Sequence, residues 1–557
     1  MKMLFLRFGI ALFATAVLSL SVFAQNRAET FAITNARIVT VSGAPIERGT
    51  IILRGGLIES VGANVRVPAD ARVIDGAGLT VYPGFFDAYT NLGLAPAALT
   101  LPRPATPGVV QIQQAQQAAQ PQSNSNYPNG LQPEKSVVEQ LRAGEAQFET
   151  ARSNGFTTAL TVGREGIFNG QSALINLAGD SVSAMIVRAP VAEHVTFRTL
   201  GNVYPQSLLG TFSAMRQMFF DAQRFDQMKK MYDANPRGIR RPEADASLEA
   251  LLPVINGTMP IVFNANTERE IVRVLDLAQQ FNLKAIISGG QEAWKQSARL
   301  KRQNVPVLLS LNFPKRTAVA SPEADAETVE ILRLRAETPK GAARLAQAGV
   351  KFAFQSGALT NLSDFLANAN KATENGLTRE AALRAMTLSA AEIFDVGNRL
   401  GSIETGKIAN LVVSRGDVFA KDKTITHVFV DGKLFEQKDK PKMPPTPPGT
   451  TAPTTRGLQA VGGTWSINVE LPGQPIPGTL SFVQQDKTLT GSLQTQFGTS
   501  QITDGEVTAD GFRFTATIDF AGNTRELVVN GRVNGNQISG TFTTSEGAIP
   551  FSGTRNP

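Results

Sequence analysis

Between residues 155 and 354 the chain alternates short apolar runs with helical periodicities, and this alternation restricts its fold more than any other feature. Residues 155–162, 260–265, 285–288, 305–309 and 350–354 read as buried strands. Between them, Ile271, Val272, Val274, Leu275, Leu277 and Ala278 recur at helical spacing within 268–281, and further helices are expected around 292–300 and 336–348. Repeated βα units of this length require a parallel sheet, whose natural closed form is a (β/α)8 TIM-type barrel. The fold class is therefore α/β.

The flanks are of a different kind. Residues 30–80 read as short strands with hairpin turns, among them Ile51-Ile52-Leu53 followed by the turn Arg54-Gly55-Gly56. Residues 401–435 return to that style with Leu411-Val412-Val413, Val428-Phe429-Val430 and the tight turn Asp431-Gly432. Strand-rich pieces on both sides predict a small β-sandwich, built from 30–80 plus 398–435 around a barrel at 81–397. Residues 436–458, with Pro444-Pro445-Thr446-Pro447-Pro448, read as an extended linker. Beyond it, 459–557 reads as an all-β barrel or sandwich module. Phe512, Phe514, Ala516, Ile518 and Phe520 alternate strictly there, and turns are expected at Asp486-Lys487, Asp510-Gly511 and Asn534-Gly535. Two stretches fit the barrel poorly. Residues 95–135, rich in Pro, Gln, Ala and Asn, read as a long surface loop. Residues 205–240 read as a helical insertion whose Met215, Met218, Phe219, Phe220, Phe225 and Met228 form a packing stripe, with partner contact as the alternative.

A chain of 557 residues exceeds one ordinary domain. It contains no cysteine, so its stability rests on packed cores. Lys plus Arg number 54 against 47 Asp plus Glu, with no dense basic run interleaved with aromatics, so nothing points to nucleic acid. Residues 1–24 have the organisation of a secretory signal: Lys2 and Arg7, an apolar run from Phe8 to Leu20, then Val22-Phe23-Ala24 before Gln25. The expected product is exported, periplasmic or extracellular, with no membrane span once the signal is removed.

Two phrases carry a resemblance. Pro83-Gly84-Phe85-Phe86-Asp87-Ala88-Tyr89-Thr90-Asn91 is similar to the first metal motif of the amidohydrolase superfamily, Pro-Gly-x-x-Asp-x-His-x-His. The stretch from Thr387 to Val413 resembles the family's ending, with Ala390 and Asn410 where the family has Pro and Asp. Residues 289–294 and 167–173 look like the periplasmic, imidazolonepropionase-like branch. The resemblance implies one or two divalent metals at the C-terminal mouth of the barrel. Their ligands would be the His-x-His pair, a carbamylated lysine or glutamate from strand 4, a histidine from each of strands 5 and 6, and an aspartate from strand 8. Such metals lower the pKa of bound water to near 7.

Carried over residue by residue, those positions hold Tyr89 and Asn91 on strand 1, Asn264 on strand 5, Ser288 on strand 6 and Gly357 on strand 8, with Asp87 and Ser356 in support. No strand-4 lysine is found near residues 186–190. The chain has two histidines, of which His194 lies off the expected ligand positions and reads as a hydrogen-bonded structural residue. Tyrosine and asparagine are weak ligands for Zn2+. No Ser-His-Asp set is expected, and no Gly-x-Ser-x-Gly elbow is present.

These readings predict an exported amidohydrolase-family protein with a degenerate metal site, needing no cofactor where the family uses Zn or another divalent metal. It would be a non-catalytic binding or partner subunit, holding a polar small molecule at the barrel mouth. It would assemble as a homo-oligomer or as a hetero-oligomer with an active paralogue. One alternative is a hydrolase of non-peptide carbon–nitrogen bonds, in cyclic amides or dipeptides, with a rearranged site. Another is a surface or glycan-binding protein acting through 459–557, where Trp465 and the phenylalanines would stack on sugars.

Overall fold

The computed structural model describes residues 30–95, 127–128, 130–144, 146–200, 204–314, 328–357, 359, 361–437, 460–469, 476–495, 498–508, 511–520, 523–544 and 547–556. The expected signal segment and most of the expected linker and of the 95–135 loop lie outside these residues.

The first strands are β1 (Phe31–Ile38), β2 (Ile46–Arg54), β3 (Leu57–Gly62), β4 (Arg72–Asp75) and β5 (Leu79–Pro83). Next come β6 (Phe85–Thr90), β7 (Phe156–Thr161), β8 (Phe168–Gln171), β9 (Ala173–Asn176), β10 (Ile186–Arg188) and β11 (Glu193–Thr196). They are followed by β12 (Ile261–Ala265), β13 (Ala285–Gly289), β14 (Val307–Ser310) and β15 (Phe352–Gln355), then β16 (Leu411–Arg415), β17 (Thr424–Val430) and β18 (Lys433–Glu436).

The two flanks meet where β16 pairs antiparallel with β5. This joins them into one eight-stranded sheet of order β18-β17-β16-β5-β1-β2-β3, with β4 beside β1. Phe31, Ile33, Ile51, Leu411, Val413 and Phe429 share its core. Asp431-Gly432 forms the β17–β18 turn as expected, with φ of 53° and 73°. The turn crosses the one at Gly55-Gly56: a Cβ on Gly432 would lie 2.8 Å from the Gly56 Cα, so the crossing admits no side chain there.

The middle has the expected TIM-type architecture with one departure. β6 and β7 are parallel, and so are β11 to β15, each to the next. At the third position, however, two short strands run against their neighbours: β8 is antiparallel to β11, and β9 to β7. Ser172 alone separates β8 from β9, so the wall consists of two hydrogen-bonded sheets, β10-β9-β7-β6 and β15-β14-β13-β12-β11-β8. Phe86, Ala88, Leu160, Leu174, Val262, Ile286, Leu308 and Ala353 fill the interior. The helix Glu268–Phe281 opens with a reciprocal Thr267–Glu270 capping box and buries Ile271, Val274, Leu275, Leu277, Ala278 and Phe281. Val272 is only half-buried.

The described parts of both poorly fitting stretches are packed. The helix Leu208–Ala234 buries Met215, Met218, Phe219 and Phe225, while Phe220 and Met228 remain 48% and 42% exposed. Leu131, Gln132 and Pro133, expected on a surface loop, are buried. That segment runs along β8, where the Ile167 N–H donates to the Gly130 carbonyl and the Gln171 N–H to the Lys135 carbonyl, both at 2.8 Å.

The last eight strands, from Gly463–Val469 to Gly547–Arg555, form a closed antiparallel barrel in which each pairs with the next and the last with the first. Its centre holds Trp465, Phe482, Phe512, Phe514, Phe542 and Phe551. The Asp486-Lys487 turn forms as expected, whereas the Asn534-Gly535 turn falls one residue later: Asn534 pairs with Gln537, and Gly535 takes φ 61°. Trp465 is 0% exposed and donates its indole N–H to the Val461 carbonyl at 2.9 Å, so it cannot stack on a sugar. Phe512 and Phe514 are equally enclosed. Trp465→Ala is expected to destabilise this barrel by about 3–5 kcal/mol, read as a fall in its urea midpoint. An unchanged midpoint would place the indole outside the core.

Candidate functional site

The sequence-predicted positions gather at the C-terminal ends of the barrel strands. Asp87, near the end of β6, is fully buried. It accepts from the Ser356 backbone N–H at 2.9 Å, from the Ser356 hydroxyl, and from the Tyr89 N–H at 3.4 Å. Ser356 follows β15, so these bonds bridge the first and last strands of the barrel. Burial pushes the Asp87 carboxyl up from 3.8 to about 6, against the pull of its three donors.

Tyr89 turns its ring across the mouth. On one side, a Cβ on Gly357 would lie 3.1 Å from Tyr89 Cδ1. On the other, the ring centroid is 5.7 Å from that of His194 on β11, tilted by 57°. The same Cβ would also lie 2.3 Å from Gln355 Oε1, so a side chain at 357 requires the glutamine amide to move. Burial raises the Tyr89 phenol to about 12, so it stays protonated at neutral pH.

The remaining positions are engaged with neighbours. Asn91 donates its amide to the Val162 carbonyl at 2.6 Å, beyond the end of β7. Ser288 on β13 accepts from Gln355 Nε2 at 3.0 Å, and the same nitrogen reaches the Leu308 carbonyl at 3.0 Å. Asn264, half-exposed on β12, accepts from Asn266 at 3.5 Å.

His194 corrects the sequence reading. It was expected off the ligand positions, with strand 4 near residues 186–190, but the strand beside β12 is β11 and His194 projects from it against Tyr89. The expected hydrogen bond exists: His194 Nε2 lies 2.9 Å from the Ser172 hydroxyl, which donates to the Ala192 carbonyl at 3.2 Å. The ring therefore donates Nε2–H to the serine. Nδ1 has no partner among the described residues, and burial lowers the imidazole to about 3. A serine and a histidine thus meet where no such pair was expected, but with Nε2 protonated the ring is no base toward the serine. No carboxylate orients Nδ1, and both side chains are 1% exposed, so the pair is inaccessible to a substrate.

Arg198 was also missed. It is half-buried, its Nε–H donates to the Gly166 carbonyl at 3.0 Å, and it is close enough to Tyr89 for their charges to interact. Glu193-His194-Val195-Thr196 does not alternate in polarity, so there was little signal for the facing of His194. Arg198, beyond the strand end, gave none.

The donor set does not suit a divalent cation. Tyr89, Asn91, Asn264 and Ser288 are neutral, Gly357 has no side chain, and Asp87 is enclosed by its own donors. Among the described residues no three of His, Asp and Glu are grouped so as to hold a metal ion. We derive no metal-dependent step for this chain.

The fold has known counterparts. Residues 307–435 match the amidohydrolase family. An amidohydrolase from Thermotoga maritima MSB8 superposes with a TM-score of 0.59 at 24% identity, over 73% of this chain and 100% of that one. Phenylurea hydrolase B is matched at TM-score 0.44 and 16% identity, over 76% of this chain and 100% of that one. A prolidase-like protein from Bifidobacterium longum is matched at TM-score 0.43 and 16% identity, over 74% of this chain and 95% of that one. No curated protein matches the sequence.

Two groups at the mouth respond to pH in opposite senses. Asp87 has its pKa raised on folding, so the stability it carries is complete below 3.8 and is lost as pH rises through about 6. His194 has its pKa lowered from 6.5 to about 3, so its contribution is complete above 6.5 and is lost as pH falls toward 3. From about pH 4 to about pH 7, wild type is expected to lose up to about 3 kcal/mol relative to Asp87→Asn, measured by urea unfolding. Parallel pH profiles for the two proteins would contradict the raised Asp87. In histidine C–H NMR spectra, the His194 resonance should stay flat from pH 5 to pH 8; a midpoint inside that range would mean a solvated ring.

Proposed function

We propose, from the premise that this chain belongs to the amidohydrolase superfamily, that its barrel mouth binds a polar small molecule and does not hydrolyse it. The observation that carries this reading is the Tyr89 ring, which lies beside Gly357 at the expected aspartate position and against His194 on β11. No described residue accepts from the Tyr89 hydroxyl, which is free to meet a ligand with the Arg198 guanidinium nearby. A ligand held there would exchange hydrogen bonds with neutral groups and one cation, with no activated water beside it. On this reading the degenerate metal site makes the protein a binding subunit, exported through residues 1–24 to the periplasm or beyond, where an active paralogue could be its partner.

The second reading, hydrolysis of cyclic amides or dipeptides through a rearranged site, draws support from the Thermotoga amidohydrolase whose fold it shares. Metal analysis of the purified protein separates the two. We expect Zn, Mn and Fe far below one equivalent, and no chelator-sensitive hydrolysis of either substrate class. One tightly bound equivalent together with chelator-sensitive turnover would establish the hydrolase instead.

A further inference from the structure

We propose a second ligand site at the opposite, N-terminal end of the barrel, built to take a small organic anion. It is independent of the mouth. A cavity of about 340 Å³ opens where the chain enters β14 and β15, a volume within the usual range for small-molecule sites. Its lining includes the buried apolar side chains of Val305 and Phe352. Its rim is basic: Lys301, Lys351 and Arg384 surround a single carboxylate, Glu392.

The charges around that carboxylate do not balance. Glu392 Oε1 takes the Arg384 guanidinium at 2.5 Å and Oε2 takes Lys351 at 3.0 Å, which occupies both oxygens. Lys301 has no carboxylate partner among the described residues. It lines the cavity beside Gly349, with Nζ 3.4 Å from where a Cβ on that glycine would stand. Gly349, at φ 68°, turns the chain into β15 and leaves that space open because it has no side chain. Three cations against one spent carboxylate leave a local excess of positive charge beside that apolar lining. The complementary ligand is a small molecule with an anionic head, phosphate or carboxylate, and a compact apolar body directed at Val305 and Phe352. Arg384 and Lys351 keep unused N–H donors for such a head while holding Glu392.

The test uses the full chain at low ionic strength, with phenyl phosphate as the probe and calorimetric titration as the readout. Inorganic phosphate and phenol serve as arms that separate the charged from the apolar contribution. Lys301→Glu reverses the unpaired cation without breaking any ion pair, and Lys229→Glu makes the same charge change on the exposed face of the 208–234 helix. We expect saturable 1:1 binding of phenyl phosphate, tighter than either arm alone, weakened about fivefold or more by Lys301→Glu and unaltered by Lys229→Glu. No saturable binding to wild type would overturn the site, as would equal affinity of the two variants. Binding of phenyl phosphate no tighter than inorganic phosphate would also overturn it, because the apolar lining would then play no part.

Discussion

The buried Asp87 carboxyl is the tie on which the barrel depends. The wall is made of two hydrogen-bonded sheets, and no backbone ladder joins β6 to β15. Across that seam, Asp87 accepts both the backbone N–H and the hydroxyl of Ser356. A carboxylate fully removed from water is tolerated only when its lone pairs are met, and three donors meet them here. The same enclosure prevents Asp87 from serving as a metal ligand or as a base for a bound substrate. The opposite break in the wall, between β8 and β9, is tied in a similar way, with Ser172 hydrogen-bonded to both His194 and Ala192.

These two ties share one interior. Asp87 favours its protonated form and His194 its neutral form, so their contributions to stability change in opposite directions across the mildly acidic range and partly offset each other. Tyr89, two residues beyond Asp87 on β6, reaches across to His194 on β11. Its ring fills the centre of the mouth, and the absence of any side chain at Gly357 makes room for it. Substitutions that look separate along the chain are therefore a single packing solution. A side chain at 357 would press on the Tyr89 ring, with its Cβ 3.1 Å from Cδ1.

Much of this was legible in the sequence. The βα alternation gave the barrel and alternating phenylalanines marked the C-terminal module, although alternation alone could not tell a closed barrel from an open sandwich. The flanking strands, expected as a sandwich, form one eight-stranded sheet, because alternation does not say whether strands pair edge to edge or pack face to face. Tyr89, Asn91, Asn264, Ser288 and Gly357 could be placed at the mouth because a strand-end motif fixes both position and facing. His194 was missed for a physical reason. Its facing depends on the register of β11, which follows from the antiparallel insertion of β8 and β9, and a shift of one residue would turn the ring to the other side of the wall. The buried 131–133 segment was missed because its Pro- and Asn-rich composition resembles a solvated loop, while its hydrogen bonds to β8 depend on tertiary contact.

The central proposal is that Tyr89, set between Gly357 and His194, stands in place of a catalytic metal at the mouth. Anomalous X-ray scattering from crystals grown in excess zinc tests it directly. The account predicts no zinc peak among Tyr89, His194 and Asn264, and density for the Tyr89 ring between Gly357 and His194. A well-occupied zinc bound through His194, with Tyr89 swung aside, would contradict it.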